Sequence, residues 1–173
     1  MIWALLLFLV PFGLMLAPYV AGIFLSPDSS SKLRFRIAAE PGEVWRVLAN
    51  AETSGANIEQ LSTEGGKSTW VEDIGLARIR VRTLESEFET LLVRSLTDES
   101  IPMEAEWRVE LAPEDGGTIV VATNETHVGK GSWRAPLYRF LMHFLNGPRR
   151  ALVHYFTRLA RSLGKELSIE TVE

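Results

Sequence analysis

The sequence predicts an α+β domain, an antiparallel sheet covered by a long C-terminal helix, carried behind one transmembrane helix. Three observations carry that expectation. The run from Ile2 to Leu25 is uncharged and almost wholly apolar. From Leu33 to Val128 most segments alternate apolar and polar residues between short turns, the pattern of half-buried strands. From Leu137 to Leu163 apolar residues recur at helical spacing.

The N-terminal run is long enough to span a bilayer, since a helix needs about 20 apolar residues to cross about 30 Å. No Lys or Arg follows Met1, and the run exceeds the roughly 7–15 apolar residues of a signal peptide. Val20-Ala21-Gly22 has the small residues of a cleavage site, but an uncleaved anchor over residues 1–25 fits better. Pro11 and Pro18 would kink it, which membrane helices tolerate. Trp3 and Tyr19 suit the two interfaces. Lys32, Arg34 and Arg36 follow the run, so the positive-inside rule puts the domain of this single-pass protein in the cytoplasm. Folded domains also cross regardless of charge, which leaves the side open.

The remainder, about 145 residues, is one ordinary domain. The expected division is anchor 1–25, linker 26–31, domain 32–166 and tail 167–173. With no cysteine there is no disulfide, thiolate metal site or cysteine nucleophile. The three histidines lack metal-ligand spacing, so no metal is expected. A net charge of -4 gives no bulk attraction to nucleic acid. Gly129-Lys130-Gly131-Ser132 lacks the first half of a phosphate loop. No nucleophile elbow or dinucleotide fingerprint is present, and no cofactor is expected.

The elements follow in order. Leu33–Ile37 alternates as a strand. Pro41 can open a helix whose apolar face is Val44, Trp45 and Leu48. Ala51–Asn57 is a loop or a short second helix. Strands are expected at Ser68–Ile74 and Ala77–Thr83, the latter with Arg78, Arg80 and Arg82 on one face. A turn at Glu85-Ser86 leads into Phe88–Leu96, then Glu104–Leu111. Pro113–Gly117 is a strong turn signal before Thr118–Val128. Pro136 opens the last helix, Asn146-Gly147-Pro148 kinks or breaks it, and Gly164 is a plausible stop. Consecutive strands with short turns argue for a meander.

Four stretches carry a family resemblance. They are Pro41–Leu48, Trp107–Leu111 with the Gly116-Gly117-Thr118 turn, Pro136–Leu141, and Tyr155–Leu159. Together they resemble the START-like (SRPBCC) helix-grip superfamily, in its polyketide cyclase/dehydrase and lipid transport branch. The resemblance spans roughly residues 33 to 165. Many relatives carry a Trp or a Pro-rich segment where this chain reads Glu52-Thr53-Ser54-Gly55-Ala56-Asn57. The resemblance implies a helix-grip fold, a curved antiparallel sheet wrapped around the long C-terminal helix, with an apolar cavity between them. It also implies a ligand such as a lipid, sterol or polyketide; only some relatives are enzymes.

If Leu111 faces Ile119, one sheet face carries Trp107, Val109, Val121, Thr123, Glu125 and His127. A one-residue slip reverses either strand. The expected cavity lining is Trp70, Ile79, Val81, Trp107, Val109, Val121, Thr123, Phe140, Phe144 and Phe156. Glu125 and His127 are the acid/base candidates, with Glu72 a weaker one. A polar strand end near solvent is the favoured reading of the pair, since one carboxylate and one imidazole on a strand are common by accident. The arginine row on Arg78, Arg80 and Arg82 reads as a solvated face pairing with Glu87 or Glu89, or as an anionic-partner patch. Arg149, Arg150, Arg158, Arg161 and Lys165 suit either lipid headgroups or a helix C-terminus.

Three functions compete. The favoured one is a membrane-tethered, non-enzymatic carrier for an apolar small molecule or lipid. The second is a cyclase- or dehydrase-type enzyme using Glu125 or His127. The third is an interaction domain for a membrane partner, which requires a filled cavity and an exposed apolar patch.

Overall fold

The computed structural model describes residue 13 and residues 16–50, 57–64, 67–73, 78–98 and 100–171. The domain is α+β, as expected. Its elements are β1 (Asp28–Ile37), α1 (Pro41–Ala49), β2 (Asn57–Glu64), β3 (Lys67–Asp73) and β4 (Arg78–Glu87). They continue with β5 (Leu91–Asp98), β6 (Met103–Glu114), β7 (Gly117–Val128), α2 (Ala135–Phe144), α3 (Gly147–Ser162) and β8 (Leu167–Thr171). The strands form one antiparallel sheet in the order β2-β3-β4-β5-β6-β7-β1-β8. Six strands are thus a meander, and β1 closes onto the far edge of β7.

Both flanks of the domain are more ordered than their sequence suggests. The expected linker 26–31 is strand from Asp28, with Ser29, Ser30 and Ser31 paired to Thr126, Glu125 and Asn124. The long free edge of β7 supplies partners whatever side chains β1 brings. The expected tail pairs too: Leu167–Thr171 adds to the other edge of β1. Gly164, in the left-handed region at φ 65°, ends α3 as expected and turns the chain back. The polar strand β2 carries no alternating apolar signal, and Ala51–Ala56, the expected loop or helix, lies outside the described residues.

Two corrections concern register. The β4–β5 turn falls at Glu87–Thr90, not Glu85-Ser86, with the Thr90 amide donating to the Glu87 carbonyl at 3.1 Å. An irregularity between Thr83 and Glu85 absorbs one residue and prolongs β4. In the β6–β7 hairpin Leu111 pairs with Val120, not Ile119. The loop is the two-residue Asp115-Gly116, closed by Glu114 and Gly117, with Gly116 at φ 79°. Pro113 and Glu114 therefore belong to the strand, and every inward residue of β7 shifts by one.

The C-terminal helix is broken, not merely kinked. Asn146 adopts the left-handed conformation (φ 53°, ψ 51°), and α3 restarts with Pro148 in its first turn. α3 lays Leu152, Phe156 and Leu159 on Leu33, Phe35, Ile37, Val120 and Ala122. Phe35 and Phe156 are 4.6 Å apart between ring centroids. α1 adds Val44, Trp45 and Leu48 to the same core.

Among the described residues no helix is long and apolar enough to cross a membrane. Most of the expected anchor, residues 1–12, 14 and 15, lies outside them. Its end is described: residues 16–24 are helical. That helix meets α2 so closely that a Cβ on Gly22 would collide with the Pro136 carbonyl.

Candidate ligand site on the inner sheet face

Among the described residues, the inner face, turned toward α1 and α3, holds one buried cation. Arg94 on β5 is only 8% exposed. Alternation along β5 forces it inward, since Leu92, Arg94 and Leu96 share a face. Its Nη2 donates to the carbonyl oxygens of Leu48, at 2.9 Å, and Ala49, at 3.4 Å. Those carbonyls end α1, where the helix dipole favours a cation. The guanidinium carbon lies 4.8 Å from the Trp70 ring centroid, a cation–π contact.

Tyr155, from α3, completes the cluster. Burial pushes its phenol pKa above the ordinary value, although the neighbouring Arg94 charge pulls it down. The Trp107 ring meets Tyr155 edge-on at 5.3 Å. Glu72 shares this side and accepts from the Trp70 indole nitrogen at 2.7 Å. Its charge also raises the Tyr155 pKa. The Arg94 Nε is buried without a partner. A buried charge held by two carbonyls and a ring, beside a phenol and with one donor unused, suits an oxygen-bearing group.

The space bounded by Leu48, Leu92, Arg94, Trp107, Val109 and Tyr155 is about 10 Å³. That is room for one water at most. The cavity expected between sheet and α3 is therefore packed with side chains at this end. Beyond Arg94, Trp70 and Val81 form a second apolar cluster with Ile58, Ile79 and Leu96.

The expected site residues separate. Trp70, Ile79, Val81, Trp107, Val109 and Phe156 all lie on the inner side, Val109 and Phe156 within the core. Val121 and Thr123 turn outward because of the register slip. Phe140 and Phe144 stack at 4.4 Å on α2, remote from this face. Glu125 and His127 also point outward, into an open groove of about 590 Å³ shared with Asp28, Ser30, Glu104 and Glu106. There His127 Nδ1 lies 2.6 Å from Asp28 Oδ1, and Glu125 sits opposite Glu106. Of the three acid/base candidates, only Glu72 shares a face with Arg94 and Tyr155. No metal-binding group occurs among the described residues. Arg78, Arg80 and Arg82 are exposed on the outer face, and Arg78 pairs with Glu59 rather than Glu87 or Glu89.

Sequence reasoning passed over Arg94. The signal was present: a single arginine within Leu91-Leu92-Val93-Arg94-Ser95-Leu96, in phase with the inward leucines.

The chain superposes on solved structures over most of its length. A conserved protein from Geobacillus kaustophilus matches with a TM-score of 0.60 at 15% identity, over 80% of this chain and 99% of that one. Ara h 8.0201 gives 0.54 at 8% identity, covering 78% and 97%. The fold is a helix grip. Truncated norcoclaurine synthase from Thalictrum flavum gives 0.52 at 13% identity, covering 79% and 93%. At such identities the likeness establishes the fold. No protein-family model matches the chain. A 63-residue stretch is 41% identical to the ribosome maturation factor RimM of Lactobacillus gasseri. That match spans 36% of this chain, which covers about a third of the relative's length.

Proposed function

We propose that this helix-grip domain is a membrane-tethered module that binds an apolar molecule with an oxygen-bearing head, such as a fatty acid. Binding has to open the packed space beside Arg94, which holds one water at most, so that the head reaches Arg94 and Tyr155. The apolar body then runs along Trp70, Val81 and Leu96, displacing the side chains that bury the first two. The observation that carries this reading is the unpartnered, buried Nε of Arg94. A carboxylate or carbonyl there gains a charge-assisted hydrogen bond. The helix-grip neighbours support a binding role by analogy of fold. The charge-free run to Leu25 supports the tether, which holds the domain close to membrane-dissolved ligand.

An acid/base role for Glu125 and His127 loses its geometry in this reading, because the sheet separates them from the inner face. The interaction-domain reading keeps a specific support: the core under α3 is filled and apolar residues remain exposed on α2.

Native mass spectrometry of the full-length chain, released from detergent, tests the proposal. An added mass that extraction identifies as an apolar acid or carbonyl compound is expected. A bare chain in every preparation contradicts it.

A further inference from the structure

Helix α2 is turned inside out for a water-facing helix. Its buried residues are Ala135 and Arg139. Arg139, 6% exposed, donates through Nε and Nη2 to the Val128 carbonyl and through Nη2 to that of Gly129, so it closes the end of β7. The opposite face is apolar and open. Leu137 and Phe144 stand on it at helical spacing, with Trp133 in the turn just before the helix; Trp133 is 73% and Phe144 65% exposed. An amphipathic helix in water does the reverse.

Two features identify what covers this face. The first is continuity. Helix 16–24 crosses α2 at Gly22 and Pro136 and itself exposes Ile23 and Phe24, the latter 84% exposed. It belongs to the charge-free run from Ile2 to Leu25, so the two open surfaces adjoin at the end of the expected anchor. The second is charge. From Thr126 to Lys165 there are eight Lys or Arg and no Asp or Glu, in a chain of net charge -4. Lys130 and Arg134 precede α2, Arg149 and Arg150 follow it, and among the described residues none of the four is in an ion pair. The Arg134 guanidinium lies 5.3 Å from the Trp133 ring centroid, a pairing suited to the headgroup level.

We propose that α2 lies in the membrane–water interface, with Trp133, Leu137 and Phe144 among the acyl chains and the flanking cations on anionic headgroups. The helix-grip domain is then seated on the bilayer instead of swinging on its tether. This rests on the tethered reading above, and the test separates the two.

The chain has no cysteine, so single cysteines can be placed at will. Full-length Leu137→Cys, Phe144→Cys and, as an outer-sheet control, Thr123→Cys are labelled with an environment-sensitive fluorophore. They are reconstituted in phosphatidylcholine vesicles with about 30% phosphatidylglycerol. The expected result is a blue shift at 137 and 144, with quenching by spin-labelled lipid several-fold stronger than at 123. Arg149→Glu combined with Arg150→Glu reduces that quenching. Vesicle-bound protein with all three labels equally exposed to water overturns the seating but not the tether. Labels shielded from water but unquenched by lipid mean a protein cover and overturn it as well. Protein that stays out of the vesicles contradicts both proposals.

Discussion

Arg94 and Arg139 are two buried cations with different work. Arg139 has every donated bond on a strand-end carbonyl, so its role is to hold α2 against β7. Arg139→Met keeps the length but strands those carbonyls, and should lower the unfolding free energy by about 2–3 kcal/mol in urea. An unchanged midpoint would show that water replaces it. Arg94 caps α1 and keeps one donor free. Beside it, burial raises the Tyr155 pKa. The neutral phenol is thus favoured in the fold, and its contribution is complete below the unfolded value near 10 and fades as pH rises above it. Wild type should lose stability above about pH 10 more steeply than Tyr155→Phe. Parallel pH profiles would place the hydroxyl in water. Sequence patterns located Trp70 and Trp107 on the right face, because period-2 alternation is local. The same alternation sets Arg94 in phase with Leu92 and Leu96, but what holds its charge there, Leu48 and Trp70, is distant in sequence and brought near by folding.

At the scale of elements, the junction Asn146-Gly147-Pro148 decides how the C-terminal helix is used. With Asn146 left-handed, α3 lies across the sheet while α2 departs to present its own apolar face. Asn146→Val places a branched side chain at φ 53° and should cost about 1–2 kcal/mol. Asn146→Gly should be close to neutral. Equal melting temperatures for both variants would argue that the junction relaxes. This break was legible from Pro148, and the meander from its turn signals. The outer strands were not: the first residues of β1, all of β2, and β8 gain their order from a neighbouring strand edge rather than from an alternating pattern. The hairpin register turned on whether Pro113 and Glu114 counted as turn or strand, a one-residue matter that reversed Val121, Thr123, Glu125 and His127 together.

At the scale of the whole molecule, the described residues present three distinct surfaces. The outer sheet face is charged and carries the acidic groove around Glu125 and His127. The inner face is apolar around one arginine. The third surface joins helix 16–24 to α2 and is apolar with a basic border. A domain arranged this way can rest on lipid by the third surface and hold a lipid-soluble molecule on the inner one. Photo-crosslinking tests that central claim most directly. The full-length chain in vesicles is loaded with a diazirine fatty acid, irradiated and digested, and the adducts are mapped. The account predicts adducts on the inner face near Trp70, Arg94 and Tyr155, lost in Arg94→Met but kept in Glu125→Gln. Adducts confined to helix 16–24 and α2, or unchanged in Arg94→Met, would contradict it.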